Sequence, residues 1–197
     1  RRRRHRTRTA SSSGPPHRSS PLSSRRSLSS ACASSSSAPV SAREPAHSPL
    51  TDGASTVLLA SEDWAQERGL PVQAYLTRCE VAAVDFIGKK EGLLMAPAYA
   101  VPRMLDRAGL TLQDFDFYEI HEAFAATVVK TRQALDIDDS RLNVNGGVIA
   151  LGHPMGATGA IMTGTLIDEL YRQQLSKGIV AASGAAGSGS ALLLERC

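Results

Sequence analysis

Asn143-Val144-Asn145-Gly146-Gly147-Val148-Ile149-Ala150-Leu151-Gly152-His153-Pro154-Met155-Gly156-Ala157-Thr158-Gly159 is the stretch on which the reading of this chain turns. Five glycines in 17 residues cost backbone entropy, so something here requires positive φ or close approach. A histidine fixed between Gly152 and Pro154, just ahead of a helix start, is poorly explained by packing.

Downstream of it the pattern predicts a helix through Leu170, bearing Met162, Leu166 and Leu170, then short apolar strands at Ile179–Ser183 and Ala191–Leu194. Between those strands lies Ser183-Gly184-Ala185-Ala186-Gly187-Ser188-Gly189. That loop reads either as a flexible hairpin or as a pocket whose free N–H groups face an oxyanion. Upstream, Phe115, Phe117 and Ile120 mark a buried strand. It is expected to give way at His121 to a helix with Phe124, Val128 and Leu135 along one side. Taken alone, His121 in His121-Glu122-Ala123-Phe124 reads as a structural or capping residue.

Earlier still, a helix over Ala98–Ala108 presents Ala98, Val101, Leu105 and Ala108 on one face and closes at Gly109. Residues 72–86 read as extended. Ser55–Ser61 is β-prone, and Ser61 suits a helix N-cap, with Glu62 and Asp63 in the first turn and Gly69 at the end. Strand–helix alternation ending in two adjacent strands implies a layered α/β domain.

The front of the chain differs in kind. Residues 1–43 hold ten Arg and fifteen Ser and no acidic residue. Those ten charges exceed the whole-chain balance of +3, so residues 44–197 sum to −7. The basic character belongs to the tail, and the mildly acidic remainder argues against nucleic acid as its partner. Residues 1–47 are expected to be a disordered Arg/Ser/Pro-rich tail, because almost no large apolar side chain offsets the ordering entropy. Such a leader has the composition of an organelle transit peptide, of an electrostatic nucleic-acid arm, or of a front end unrelated to the rest of the chain. Cys32, Cys79 and Cys197 are scattered, without CxxC spacing. They point to neither a disulfide framework nor a zinc site, and fit a reducing compartment. No apolar run approaches the ~20 residues of a membrane span.

In combination the loops resemble, in order and spacing, the C-terminal signatures of the thiolase family, acyltransferases acting on coenzyme A thioesters. NVNGG with GHPMGATG is the most specific signature. HEAF at 121–124 resembles the variant of fatty-acid-oxidation thiolases of the trifunctional-complex type. Thr51-Asp52-Gly53-Ala54-Ser55 resembles the closing strand of the family's N-terminal domain. The likeness covers roughly three-quarters of the chain. It implies a layered α/β/α/β/α fold with only the C-terminal half present. Residues 48–80 would end the first half and residues 81–197 form the second, with the small-residue helix 155–164 buried.

The resemblance also implies chemistry. A nucleophilic cysteine is acylated by one thioester, and a second cysteine shuttles the α-proton. By match, His153 activates the nucleophile and helps bind the thioester oxygen, work that suits an imidazole titrating near neutral pH. His121 holds a water or the substrate carbonyl in an oxyanion hole. The Ala185 amide lines the other hole, with Gly184, Asn145 and Gly152 among the oxyanion or substrate contacts. No metal and no cofactor beyond the coenzyme A thioester substrate is implied. The partners implied are acyl-CoA and coenzyme A, with the intact parent a homo-oligomer, dimer or tetramer.

Two departures stand out. Nothing in residues 1–50 resembles the nucleophile's surroundings, since Cys32 sits in a low-complexity run. The acid/base cysteine's position is Ser183, and a serine hydroxyl, unlike a thiol at ~8.5, is no base near neutral pH without help. Ser183 is therefore expected to limit turnover. Two alternatives stay open: a catalytically impaired acyl-CoA-binding or scaffold protein, and a condensing enzyme in which two histidines serve. The expected location is cytoplasmic, or mitochondrial if the tail is a genuine transit peptide.

Overall fold

A computed structural model describes residues 46–197 except Lys89, together with the backbone of Thr7–Ala10. The described residues form one six-stranded mixed sheet between helices. In chain order the elements are β1 (Thr7–Ala10), β2 (Leu58–Ser61), α1 (Glu62–Glu67), β3 (Ala74–Ala83), α2 (Pro97–Ala108), β4 (Phe117–Ile120), α3 (Ala125–Leu135), α4 (Val148–Leu151), α5 (Met155–Arg172), β5 (Lys177–Ser183) and β6 (Ser188–Arg196). The strand order is β2-β1-β3-β6-β5-β4. Among the described strands β4 and β5 run parallel, and every other neighbouring pair is antiparallel.

Alternation along the strands feeds two cores, because successive side chains leave a strand on opposite faces. Tyr118, Ile120, Ile179, Ala181, Ala191 and Leu193 face α2, where Val101, Met104 and Leu105 meet them. Phe117, Val180 and Leu194 face α5, against Met162, Leu166 and Leu170. The result is a helix–sheet–helix sandwich, the expected half of the five-layered architecture.

Local signals set the helix ends. The Ser61 hydroxyl accepts from the Trp64 amide at the start of α1, and Gly69 follows the helix at φ +60°. Pro97 opens α2, where its missing N–H costs nothing, and Gly109 closes it at φ +67°.

Three expectations are corrected. The helix after β4 begins at Ala125, not at His121. His121 still donates its amide to the Ala181 carbonyl, and residues 46–48 bridge to 123–125 through Ser48–Ala123 and Ala125–Ala46 hydrogen bonds. Sheet-like pairing thus holds residues 121–124 extended. The small-residue helix is buried only on its sheet side. Gly156, Gly159 and Gly164 lie on a face where an added Cβ would meet nothing within 4 Å. Thr7–Ala10, assigned by composition to a disordered tail, is a strand whose backbone pairs with both β2 and β3. A slot between two strands offers hydrogen bonds to any extended backbone, whatever its side chains. The rest of the 1–45 segment, Cys32 included, lies outside the described residues.

Candidate active site

The site forms where the two parallel strands end. β4 delivers His121 and β5 delivers Ser183 at their carboxyl ends, the edge at which α/β sheets bind ligands. The His121 ring meets Ser183 directly, with Nδ1 3.3 Å from the Ser183 hydroxyl oxygen.

His153 arrives from the glycine-rich stretch. Gly152 takes φ +95°, and a Cβ there would stand 2.6 Å from the Thr51 hydroxyl, so both the turn and the close approach demand glycine. Residues 49–51 strap this loop: the His153 amide donates to the Pro49 carbonyl at 2.9 Å, and the Thr51 amide to the His153 carbonyl at 3.5 Å. His153 Nδ1 lies 2.8 Å from the Thr158 hydroxyl, which itself donates to the Pro154 carbonyl. With its proton committed there, Thr158 accepts from His153, which fixes Nδ1 as the protonated nitrogen and leaves the Nε2 lone pair available.

The His121 and His153 ring centroids are 4.5 Å apart. Motifs 32 residues apart in sequence thus share one site with Ser183. His121 is 7% exposed, and its Nε2 is buried without a hydrogen-bond partner among the described residues. Orphaned buried nitrogens are rare enough to mark a functional position. Burial, and then the neighbouring His153, lower the His121 pKa; the Ser183 carbonyl and Glu122 oppose them. The ring is therefore neutral at pH 7.

Next to His121, a cavity of about 200 Å³ is lined by that ring with Thr51, Glu119, Gly147, Leu151 and Met162, among others. Gly152 lines it too.

Two expected contacts are engaged elsewhere. The Asn145 amide group donates to Glu169 on α5, 3.0 Å away, so it anchors the loop to the helix. Gly184 spends its amide on the Ser188 carbonyl at 2.8 Å and serves the turn instead of donating to a substrate. Ala185 follows it, exposed, in a tight turn where Ala186 adopts φ +56°.

Sequence reasoning missed the carboxylates. Glu122 accepts from the Asn143 side-chain amide at 2.7 Å and from the Ile149 amide at 3.1 Å. It thereby pins the HEAF segment to the glycine loop. Gly147 lies directly under it: a Cβ there would come within 2.1 Å of the Glu122 carboxyl carbon. Glu119, on β4, is 4% exposed. Burial pushes its carboxyl up to about 8, with Glu122 and Glu169 adding to the rise. An acid two residues before His121, on a strand otherwise apolar, was the available signal. Among the described residues, no cluster of three or more His, Cys, Asp or Glu side chains could hold a metal ion. Among the same residues no helix is long and apolar enough to cross a membrane.

Residues 70–196 match the family model for the thiolase C-terminal domain. A 3-ketoacyl-CoA thiolase of Escherichia coli is 40% identical over 164 residues, covering 75% of this chain and 37% of the relative. The chain thus spans little more than a third of that relative's length. Among solved structures, the acetyl-CoA acetyltransferase of Bacillus anthracis superposes with a TM-score of 0.72 at 40% identity, over 77% of this chain and 37% of that one. Human mitochondrial 3-ketoacyl-CoA thiolase, also solved in complex with CoA, gives 0.67 at 31% identity, over 76% and 41%.

Proposed function

The chain belongs to the thiolase family through its C-terminal domain, and from that premise we propose that it supplies the histidine-bearing half of a coenzyme A-dependent acyltransferase. The reaction is thiolytic cleavage of a 3-ketoacyl-CoA, or the reverse Claisen condensation, in fatty-acid metabolism. One observation carries this reading: His121, His153 and Ser183 meet at the ends of β4 and β5.

His153, with Nδ1–H held by Thr158, offers Nε2 to take the proton of a cysteine thiol, and the thiolate then attacks the thioester carbonyl. That cysteine comes from the part of the relatives this chain does not span. The amide of Ala185 would donate to the oxyanion of the acyl intermediate, and His121 Nε2–H to the enolate oxygen, each acting where charge develops. The HEAF sequence favours the fatty-acid-oxidation branch of the family. Acyl-CoA and coenzyme A are the small-molecule partners. Assembly as a dimer or tetramer and a cytoplasmic location complete the proposal, with mitochondria the alternative should the Arg/Ser-rich leader act as a transit peptide.

The test is a thiolysis assay on 3-ketoacyl-CoA. This chain alone should show no turnover. Joined at Thr51 to a thiolase N-terminal half, it should turn over, and His153→Ala in that fusion should abolish the activity. A folded fusion without turnover would overturn the proposal.

A further inference from the structure

Serine at the acid/base position needs help to move a proton, and the structure places that help beside it. We propose that Ser183 and His121 form a dyad that carries the α-proton of the thioester, the serine hydroxyl touching substrate and the imidazole storing the proton. The inference rests on the acyltransferase reading and supplies the base which that reading lacks.

The geometry is that of a nucleophile–base pair. Ser183 is half-buried at the mouth of the turn, and its hydroxyl oxygen lies 3.3 Å from His121 Nδ1, a span typical of such pairs before substrate tightens them. The ring is packed against His153 and 7% exposed, so water competes little for Nδ1. Its depressed pKa keeps it neutral and ready to accept. After transfer, the Ser183 carbonyl favours the protonated ring.

The step balances. The α-carbon–hydrogen bond breaks and its proton passes to the Ser183 oxygen as the hydroxyl proton passes to His121 Nδ1. The electron pair of the broken bond becomes the enolate. The products are an enolate, a neutral serine and an imidazolium. One tautomer then serves both edges of the ring: Nδ1 takes the proton, and the Nε2–H, which has no partner among the described residues, is left to face the enolate oxygen. Protonation at Nδ1 strengthens that donor as the negative charge forms. In the cleavage direction the same proton returns through the serine to the departing enolate.

The decisive measurement is the His121 tautomer in the full chain, read by two-bond proton–nitrogen correlation on histidine-labelled protein. The dyad predicts a protonated Nε2 and a bare Nδ1 whose resonance moves in Ser183→Ala, while His153 stays put. A protonated Nδ1, or an Nδ1 indifferent to Ser183→Ala, overturns the dyad. A second arm uses Ser183→Cys. Beside a basic Nδ1, the introduced thiol should alkylate about tenfold faster at pH 7 than the chain's own cysteines, and His121→Gln should erase the gain. An introduced thiol of ordinary reactivity also overturns it. Neither arm needs thiolysis, so the dyad can fail while the acyltransferase reading stands, and the reverse.

Discussion

At the scale of single residues, the site depends on side chains whose protonation the fold dictates. Glu119 keeps its proton up to about pH 8 when folded, against 4.5 when free. Between those values the unfolded chain sheds a proton that the folded chain holds, so stability falls as pH rises through this window. Glu119→Gln removes that penalty. It should raise stability at pH 8 by about 2 kcal/mol and leave pH 4 nearly unchanged, as denaturant titration at the two pH values will show. Gly147 answers to sterics instead. Gly147→Ala drives a methyl into the Glu122 carboxylate and should cost about 2 kcal/mol. In a Glu122→Ala background the obstacle is gone, so a double-mutant cycle should return a coupling above ~1 kcal/mol. Equal costs in both backgrounds would show that the contact is inert. The meeting of His121, His153 and Ser183 was legible only from the three loops in combination, through strand ends and the family likeness together, since His121 alone reads as a structural residue. Glu119 offered one signal, an acid on an otherwise apolar strand, whereas Glu122 offered none, since nothing local says which carboxylate a fold will spend on a side-chain amide and a backbone amide.

At the scale of elements, β4 is an edge strand that does not behave as one. All four of its residues are buried, because Asn143 closes its open side. The Asn143 side chain accepts from the Ile120 amide and donates to the Ile120 carbonyl, imitating the next strand with one residue. Its own amide donates to the Tyr118 carbonyl at 2.8 Å. Asn143→Asp would lose the donor to Ile120 and set a second carboxylate against Glu122. It should cost about 2–4 kcal/mol at neutral pH, easing as the solution is acidified, by thermal or denaturant melts. Thr158→Val should free the His153 ring by removing the partner of Nδ1. In the fusion joined at Thr51, thiolysis should fall roughly tenfold or more with the fold intact. The strands and the longer helices were legible from alternation and helical spacing, since burial on two faces or one writes itself into those periods. The start of α3 was not. Residues 121–124 stay extended through bonds to residues 46–48, and a partner some 75 positions away leaves no mark in local spacing. Strand β1 escaped for the same reason.

At the scale of the whole molecule, the sheet is gripped unequally. On one face α2 and α3 cover a continuous core. On the other, α5 presses so closely that a Cβ on Gly178 would lie 2.6 Å from a Leu166 methyl. Leu166→Ala should therefore leave a cavity that the backbone cannot collapse, costing about 3 kcal/mol in chemical denaturation. Beside that contact the uncovered part of the same face holds an apolar groove of about 260 Å³ between α5 and the strands, lined by Val57, Leu59, Leu76 and Leu192 among others.

The strap across the His153 loop bears on the order in which the molecule is made. Its two hydrogen bonds, and the seating of Gly53 against Pro154, join stretches separated by about a hundred residues. A loop of that span is slow to close, and its entropy is recovered only once the sheet already holds both ends near each other. The sheet and its helices can thus assemble while Gly152 and His153 still sample many conformations, and the reactive geometry is the last thing folding delivers. Pulsed hydrogen exchange should find the His153 amide among the slowest to gain protection, later than those of β5 and β6. A chain caught just short of completion would then carry native secondary structure and no competent site.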